Sequence, residues 1–550
     1  MSGRIKFVGL LFVLGFLFIG IRLFTIQQVT GEQYSEAAAL QRFKNVELYS
    51  ERGDILDRNG IRLTNRENET KVLLQPVTLA GQDSLQRMIA SLLNISYEEL
   101  NKKVNSSQLP FTLSVGENQA EAIRDSGIEG ISVVEFPLRN GSATLAAHLL
   151  GYVGEKGKEG LAGVEKAYQT SLSRGGGLYA GVIADAGNTI MSQFGYRVYD
   201  TTAETRLNVM LTIDYHMQKI VEETMDRMVT EGAVVIVDIL TGEVLAMASR
   251  PNFDPAYVND YLSDPSQALF NRALGAYTPG SIFKIITVAA ALESGISPET
   301  TFDCPGYVQL GDKTMKCSSY LTGGHGTVNM AQGFAKSCNA YFIQLGLKVG
   351  RNKLVDMADK FGLGSKTGIY LQGLDEALGR LPNTMGPASD GETANLSIGQ
   401  GDLLVSPLQA ANMTAIIANG GILNRLTLVE AIVNDKGQRI RNIGESSWER
   451  VISKETAASL QGMMQMTVQS GTGSLANIRG HGGSAGKTGS AETGWLEDDR
   501  AIIHAWFSGY FPVNSPRYAM CVFIEDGKSG GSSAAPVFAE ISARIMDEGF

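Results

Sequence analysis

The apolar positions of this chain form one long run near its start, followed by shorter alternating and periodic patterns. Residues 7–26 contain a single charge, Arg22. A helix of that length spans the hydrocarbon core of a bilayer, and Arg22 can extend its guanidinium to the outer interface. Arg4 and Lys6 precede the run without an acidic residue, so we expect the N-terminus to stay in the cytoplasm. The pattern predicts an uncleaved single-pass anchor with the rest of the chain outside.

Beyond the anchor, strand-like runs enclose a block of helical patterns. Residues 233–247 predict two neighbouring antiparallel strands joined at Thr241-Gly242, and the β-rich runs 501–507 and 518–525 lie near the end. This order favours an α+β fold in which helices flank a central antiparallel sheet. A glycine-rich joint precedes this domain. The predicted organisation is a cytoplasmic segment over residues 1–6, the anchor over 7–26, a mixed domain over 40–205 and the α+β domain over 206–550.

Composition narrows the class of protein only slightly. The 550 residues are 43% hydrophobic and 19% charged, which allows two or more domains with full-sized cores. The formal net charge is −10, and the chain has no basic tract. We therefore expect no nucleic-acid partner.

The most informative stretch for chemistry is residues 275–287. Pro279-Gly280 signals a helix start, and Ser281 and Lys284 follow at i and i+3, on one face of that helix. A serine hydroxyl is a poor nucleophile without a base beside it. Large apolar residues surround Lys284 in the sequence, and burial among them would lower its pKa toward the range of a neutral amine. The pair is therefore a candidate nucleophile and base.

Two further motifs follow in the chain. They are Ser337-x-Asn339 and Lys487-Thr488-Gly489. The order S-x-x-K, S-x-N, K-T-G is the set shared by penicillin-binding proteins and β-lactamases. On these motifs the chain resembles a class B penicillin-binding protein over nearly its whole length. The resemblance implies a serine transpeptidase domain carried on an elongated, non-catalytic pedestal.

Landmarks of the pedestal support the same resemblance. The segment 51–60 reads ERGDILDRNG, which is similar to a hallmark of the pedestal in high-molecular-weight members. Residues 148–154 and 160–168 are similar to its later landmarks. Taken alone, segment 51–60 predicts only a hairpin or a tight corner.

The resemblance implies a role for each motif residue. Ser281 attacks the carbonyl of the penultimate D-alanine of a peptidoglycan stem peptide, and Lys284 takes its proton. Ser337 passes a proton to the leaving D-alanine, while Asn339 holds the substrate amide and the lysine. Lys487 supplies a positive field that keeps Lys284 neutral and helps to anchor the terminal carboxylate.

The same resemblance assigns substrate contacts to the strand that follows Lys487. Thr488 lies near the terminal carboxylate, and Gly489 lets the strand approach the substrate closely. The backbone N–H groups of Ser281 and Ser490 form an oxyanion hole. Because the backbone acts there, a serine at position 490 instead of the family's frequent threonine is expected to matter little.

Other catalytic designs fit less well. The chain has five histidines, but no G-x-S-x-G motif surrounds Ser281, so a Ser-His-Asp triad is not favoured. Residues 486–488 resemble the second half of a phosphate-binding loop, yet His481 stands where that loop requires glycine.

Three functional classes remain open at this point. The first is a transpeptidase that cross-links stem peptides. The second is a hydrolase, either a D,D-carboxypeptidase or a β-lactamase. The third is a mainly non-catalytic activator of a membrane glycan polymerase, the usual partner of the family. In each enzymatic case we expect β-lactam antibiotics to acylate Ser281 at a bacterial cell membrane, with no cofactor required for the chemistry.

Four cysteines add a separate question. Cys338 and Cys521 lie inside a motif and inside a late strand, where a buried free thiol is expected. Cys304 and Cys317 lie close together in a turn-rich stretch, where a disulfide is the usual expectation outside the membrane.

A metal site is the alternative for the same pair. His325 and Asp303 complete a set that Zn²⁺ accepts, together with Cys304 and Cys317. Some class B proteins of anaerobic spore-formers carry zinc beside the active site, and this stretch resembles theirs. Asp303 is the weak member because neighbouring strand residues point to opposite faces, and Asp312 or water could replace it. The pattern favours a structural zinc that holds the loop before Ser337.

Overall fold

The structure is a computed structural model of the whole chain. It describes residues 2–26, 43–106, 109–141, 145–154, 157–183, 196–200, 206–369, 371–387, 389–444, 447–497 and 500–550. The predicted domain limits at residues 40 and 205 lie outside these ranges.

Helices occupy both the pedestal-like and the catalytic parts of the chain. They are α1 Ser2–Phe24, α2 Pro76–Leu79, α3 Asp83–Leu93, α4 Tyr97–Ser106, α5 Glu117–Ser126, α6 Ala147–Leu150, α7 Gly163–Ala167, α8 Gln169–Leu172, α9 Tyr215–Met228, α10 Lys284–Glu293, α11 Met330–Ala335, α12 Asn339–Val349, α13 Arg351–Lys360, α14 Asp390–Ser397, α15 Pro407–Ala418, α16 Lys454–Ser470 and α17 Ala535–Asp547. Short 3₁₀ turns include Gly280–Phe283, which leads directly into α10.

Among the described residues, the strands form seven sheets. They are β1 Phe43–Ser50, β2 Ile55–Leu56, β3 Glu67–Leu74, β4 Phe111–Ser114, β5 Ile131–Leu138, β6 Gly177–Ile183, β7 Tyr196–Asp200, β8 Leu207–Leu211, β9 Gly232–Asp238, β10 Val244–Arg250, β11 Phe302–Cys304, β12 Tyr307–Leu310, β13 Lys313–Lys316, β14 Gly326–Val328, β15 Ile422–Asn424, β16 Val429–Asn434, β17 Arg439–Asn442, β18 Trp448–Arg450, β19 Ala485–Glu497, β20 Arg500–Phe511 and β21 Tyr518–Ile524.

The first helix, α1, matches the predicted anchor. Residues Gly3–Phe24 have a mean hydropathy of 2.5, and this segment is long and apolar enough to cross a membrane. Its large apolar side chains are exposed, which fits a lipid environment and not a soluble surface.

The chain divides into two compact units, and the first collects three separate segments. It comprises Met1–Glu51, Glu67–Leu138 and Gly175–Thr205. Two three-stranded antiparallel sheets belong to it, in the orders β1-β6-β7 and β4-β3-β5. Helices α3, α4 and α5 cover the second sheet, and their apolar faces meet its strands around Val72 and Leu74.

The second unit is built on a five-stranded antiparallel sheet in the order β10-β9-β21-β20-β19. Alternate residues of β9 enter different cores, as the period of a strand requires. Val235 and Val237 pack with the helices around α10, α12 and α15, whereas Val234 and Ile236 pack with α9 and α17. Because both faces are covered, β9 reads as a continuous apolar run. The predicted α+β fold is confirmed.

The segment 52–66 folds with the second unit, together with residues 139–174. The structure thus divides the domain that the sequence predicted over residues 40–205. Arg52 and Glu165, 3% and 2% exposed at their side chains, form an ion pair at 2.7 Å. A Cβ on Gly53 would lie 1.8 Å from the carbonyl oxygen of Leu207, so only glycine fits there. These partners are more than 100 residues apart, which is why the local pattern predicted no more than a corner.

Candidate active site

Ser281 lies in the 3₁₀ turn that opens α10, and not in the first α-helical turn that the sequence predicted. The tighter turn eclipses residues three apart, so it keeps Ser281 and Lys284 on one side. The preceding Gly280 has a φ of 56°, and a Cβ there would lie 2.8 Å from the carbonyl oxygen of Ser490. Glycine therefore lets the serine turn approach strand β19 closely.

Lys284 is fully buried and points at the second motif. Its Nζ donates to the backbone oxygen of Ser337 at 2.8 Å and to Oδ1 of Asn339 at 2.8 Å, and it lies 3.2 Å from Oγ of Ser337. Within the described residues, no hydrogen bond joins Lys284 to Ser281. Catalytic contacts often tighten only when substrate binds, so this geometry keeps the lysine available as a base.

The hydroxyl of Ser337 is shared between two lysines. Nζ of Lys487 donates to it at 2.9 Å, and Nζ of Lys284 lies 3.2 Å from it. Ser337 holds a φ of 52°, in the left-handed region that non-glycine residues rarely adopt. Such backbone positions concentrate at functional sites.

Burial controls the charge of both lysines. It lowers the pKa of Lys284 to about 7, and nearby Cys338 and Cys317 oppose that shift. Burial also lowers the pKa of Lys487, and repulsion from Lys284 lowers it further. The resemblance implied that Lys487 keeps Lys284 neutral, and this role stays a prediction. In the structure, repulsion between the two amines favours the neutral form of Lys487.

Strand β19 forms the edge of the sheet and the opposite wall of the site. Oγ1 of Thr488 lies 2.7 Å from Oγ1 of Thr472, and Oγ of Ser490 accepts from the backbone N–H of Gly530 at 3.1 Å. These contacts fix the two polar side chains that follow Lys487. Thr472 belongs to a Gly-Thr-Gly segment, and its contact with Thr488 joins residues 16 positions apart in the chain.

Gly489 makes room for the turn that carries Ser281. A Cβ there would lie 2.8 Å from the carbonyl oxygen of Pro279 and 3.1 Å from Cγ2 of Ile282. Glycine therefore allows this strand to lie against the serine turn. The expected close approach of the strand to the substrate stays a prediction.

All of these elements surround one open groove of about 680 Å³. It contains the motif residues Ser281, Ser337, Asn339, Thr488 and Ser490. Other polar and charged residues complete its walls, and sequence patterns had not identified them as a group: Lys316, Ser318, Lys336, Thr472, Ser474, Glu492, Ser529 and Ser532. The groove thus contains the hydroxyls of Ser281 and Ser337, and the second of these contacts the two buried amines of Lys284 and Lys487.

A cluster of sulfur and nitrogen atoms lies directly behind the second motif. Cys304, Cys317, His325 and Cys338 bring their ligand atoms within 4.8 Å of one another. Nδ1 of His325 is 3.6 Å from the sulfur of Cys304 and 3.5 Å from that of Cys317, and the sulfurs of Cys317 and Cys338 are 3.8 Å apart. Ideal tetrahedral zinc bonds would separate two sulfurs by about 3.8 Å, and sulfur from nitrogen by about 3.5 Å. The donor set therefore fits a Cys₃His zinc site.

Asp303 is not part of this cluster, contrary to the sequence-based set. It is exposed on β11, and its carboxylate lies 3.4 Å from the hydroxyl of Thr327. Neighbouring strand residues point to opposite faces, so the buried Cys304 and Asp303 cannot face the same site. Cys338 is the free, buried thiol that we expected, and its sulfur is the fourth potential ligand atom of the cluster. No disulfide links Cys304 and Cys317, and all four cysteines of the chain are free thiols.

Comparison of the sequence with known proteins agrees with the resemblance inferred from the motifs. Residues 232–543 match the family model of the penicillin binding protein transpeptidase domain, and residues 47–178 match the penicillin-binding protein dimerisation domain. Stage V sporulation protein D of Bacillus subtilis is 30% identical and covers 99% of this chain and 85% of its own length. Peptidoglycan D,D-transpeptidase MrdA of Acinetobacter baumannii is 28% identical and covers 98% and 87%.

Solved structures agree on the fold. One chain, from "Structural coordination of polymerization and crosslinking by a peptidoglycan synthase complex", superposes with a TM-score of 0.74 at 27% identity and covers 100% of this chain and 99% of its own. A penicillin-binding protein of Helicobacter pylori, solved in complex with MreC, superposes with a TM-score of 0.67 at 23% identity, covering 92% and 99%.

A buried lysine pair around a serine, set against the edge strand of an antiparallel sheet, defines a penicillin-interactive serine acyltransferase. The chain also has a helix long enough to cross a membrane and a dimerisation domain, which restrict the group of serine acyltransferases to which it can belong. The chain belongs to the class B penicillin-binding proteins, and its activity is that of a peptidoglycan D,D-transpeptidase. Such enzymes are acylated by β-lactams.

The pKa of Lys284 predicts how acylation by penicillin depends on pH. A base must be neutral to take a proton, and the neutral fraction of an amine with a pKa of about 7 rises with pH. The acylation rate should therefore increase about tenfold between pH 6 and pH 8. Stopped-flow or mass-spectrometric measurement of the covalent adduct gives this profile. Lys284→Ala should acylate about 10² to 10⁴ times more slowly. A flat profile in the unmodified protein would show that another group is the base.

Proposed function

We propose that the hydroxyl of Ser281 forms the acyl-enzyme and that Lys284 is its base. The observation that carries this proposal is the fully buried amine of Lys284, which lies 3.2 Å from Oγ of Ser337, a residue that lines the same groove as Ser281. Lys284 takes the hydroxyl proton as Oγ of Ser281 attacks the penultimate D-alanine carbonyl. The bond to the terminal D-alanine then breaks, leaving an ester on Ser281.

The leaving amine needs a proton, and Ser337 is placed to deliver it. Its hydroxyl contacts Nζ of both Lys284 and Lys487, so a proton taken from Ser281 reaches the leaving group through one oxygen. Asn339 accepts a hydrogen bond from Lys284, which keeps the amine aimed into the groove. This arrangement supports general acid–base roles for the second and third motifs.

Backbone groups complete the proposed site. We assign the oxyanion hole to the N–H groups of Ser281 and Ser490, whose segments are held together by the contact of Gly280 with Ser490. Thr488 lines the groove, and Nζ of the buried Lys487 lies 3.5 Å from its Oγ1, so a donor and a positive field there suit the terminal carboxylate of the stem peptide.

Mass spectrometry of the full-length protein after treatment with penicillin tests the nucleophile. The unmodified protein should gain one adduct mapped to Ser281, because this hydroxyl lines the groove three residues before the buried Lys284. Ser281→Ala should gain none. Ser294→Ala, which changes an exposed serine at the other end of α10, should acylate like the unmodified protein. An adduct that persists in Ser281→Ala would assign the chemistry to another residue.

We also propose that Cys304, Cys317, His325 and Cys338 hold a structural zinc ion. The distances within the cluster support the donor set. When bound, zinc would serve as a tetrahedral cross-link, with no open position for chemistry. It would fix the loop 304–325 against Cys338, which lies between Ser337 and Asn339 in the motif.

Metal analysis of protein purified without chelator tests the zinc site and its ligands. About one zinc per chain is expected, since four ligands make one closed site. Cys338→Ala should lose the metal and lower the melting temperature, because ligand binding contributes folding free energy. Asp303→Asn should retain the zinc ion. Cys521→Ala should also retain it, because Cys521 is a buried cysteine outside the cluster. Metal-free protein with a Cys304–Cys317 cross-link would contradict the proposal.

We propose that α1 is uncleaved, with Arg4 and Lys6 on the cytoplasmic side and the catalytic unit outside the membrane. Protease added to spheroplasts should then leave only a small anchor fragment. We further propose that a membrane glycan polymerase is the partner, since a related chain belongs to a complex of polymerization and crosslinking. Co-purification from membranes tests that partner.

A further inference from the structure

One carboxylate lines the groove without a role in the chemistry proposed above. Glu492 lies on β19 two residues after Ser490 and four after Thr488. Residues at this spacing share one face of a strand, and all three line the groove together with Ser281. Glu492 is exposed, and no hydrogen bond or ion pair engages its carboxylate within the described part of the chain. Its charge is therefore available to a ligand.

The charges along the groove are segregated. Lys316 and Lys336 are exposed on the side of the second motif, and Lys336 directly precedes Ser337. Glu492 is the single carboxylate among the described residues that line the groove. The site is thus positive beside Ser337 and negative beyond Ser490. Such an arrangement complements two substrates of opposite local charge.

The donor substrate accounts for the positive side, because its terminal carboxylate is assigned to Lys487 and Thr488, and Lys487 contacts Ser337 on that side. The negative side needs a cation that approaches Ser281 from the strand end of the groove. Water and the departing D-alanine place no lasting positive charge there. A primary amine on a second stem peptide does, since an alkyl amine is protonated at neutral pH.

We propose that Glu492 binds the protonated amino group of the acceptor and so selects an amine over water as the acceptor. This inference rests on the acyl-enzyme proposed at Ser281. Glu492 takes no part in proton transfer and contributes binding and orientation only.

The step is balanced without another reactant. The bound ammonium first loses one proton to the neutral amine of Lys284, and its nitrogen then attacks the ester carbon. A C–N bond forms as the bond from carbon to Oγ of Ser281 breaks. The second proton leaves the nitrogen for Oγ of Ser281, which restores the hydroxyl. The products are the amide cross-link and free enzyme, with one proton released to solvent from Lys284.

The test measures how the acyl-enzyme partitions between transfer to an added acceptor and hydrolysis by water. Full-length protein in detergent is given a donor peptide ending in D-alanyl-D-alanine and one of two acceptors. Nα-acetyl-lysine amide is protonated at neutral pH, whereas hydroxylamine is uncharged. The ratio of amide or hydroxamate to hydrolysed product is measured by mass spectrometry at several acceptor concentrations. Because it is a ratio, it does not depend on how fast each variant acylates.

Glu492→Gln should lower the ratio for the lysine acceptor about fivefold at low ionic strength, the upper range for an exposed ion pair. The ratio for hydroxylamine should change much less. Glu492→Asp should recover part of the lost ratio for the lysine acceptor. Added salt should lower that ratio in the unmodified protein and in Glu492→Asp, which carry a carboxylate at position 492, but not in Glu492→Gln. Glu455→Gln, which removes an exposed carboxylate from the first turn of α16, should match the unmodified protein.

An unchanged lysine ratio in Glu492→Gln would overturn the assignment, as would an equal fall for both acceptors, which would indicate a merely structural effect. Penicillin adduct formation at Ser281 is measured in parallel. Failure of the unmodified protein to form any acyl-enzyme would overturn the proposed nucleophile together with this inference. Normal acylation with no acceptor preference would overturn this inference alone.

Discussion

The site depends on the burial of two amines around one hydroxyl. Lys284 and Lys487 are both fully buried, and Oγ of Ser337 contacts each of them. Removing an ammonium group from water costs several kcal/mol, and a second positive charge close by adds to that cost. Loss of a proton from one ammonium group removes most of this free-energy cost, and it leaves a neutral amine beside Ser281 near neutral pH. The aromatic rings of Phe342 and Phe334, 5.3 and 5.5 Å from the two Nζ atoms, keep water away from them.

That arrangement requires the serine turn to lie against backbone on two sides. A Cβ on Gly399 would lie 2.0 Å from the carbonyl oxygen of Gly280, and a Cβ on Gly489 would press on Pro279. Strand β19 and the loop before α15 therefore hold the turn through contacts that only glycine permits. Since no flexible side chain separates these segments, Ser281 has little freedom to drift from the lysine pair. The same contacts couple the position of the nucleophile to the edge of the sheet.

The features that could be predicted from sequence are those that depend on residues close together in the chain. The anchor is one apolar run, β9 is one buried strand, and each motif occupies three or four residues. The features that could not be predicted depend on residues far apart in the chain. The ion pair of Arg52 and Glu165 is an example, and so is the position of Cys338 among the ligands. Strand alternation already marked Asp303 as a weak ligand, but no local pattern could name its replacement, because Cys338 reaches the cluster only through the turn before α12.

In that turn, three consecutive residues contact two different groups of side chains. Ser337 and Asn339 face the lysines, while Cys338 faces the sulfur cluster and accepts a hydrogen bond from the backbone of Tyr341 at the start of α12. The left-handed φ of Ser337 allows this alternation within three residues. A non-glycine residue holds that conformation only where its surroundings fix it, and the cluster and the helix cap fix it from behind. The cluster therefore bears on the orientation of the hydroxyl shared by the two amines, although none of its atoms enters the groove chemistry. A buried cysteine such as Cys521, in the middle of a central strand, has no comparable connection to the motif.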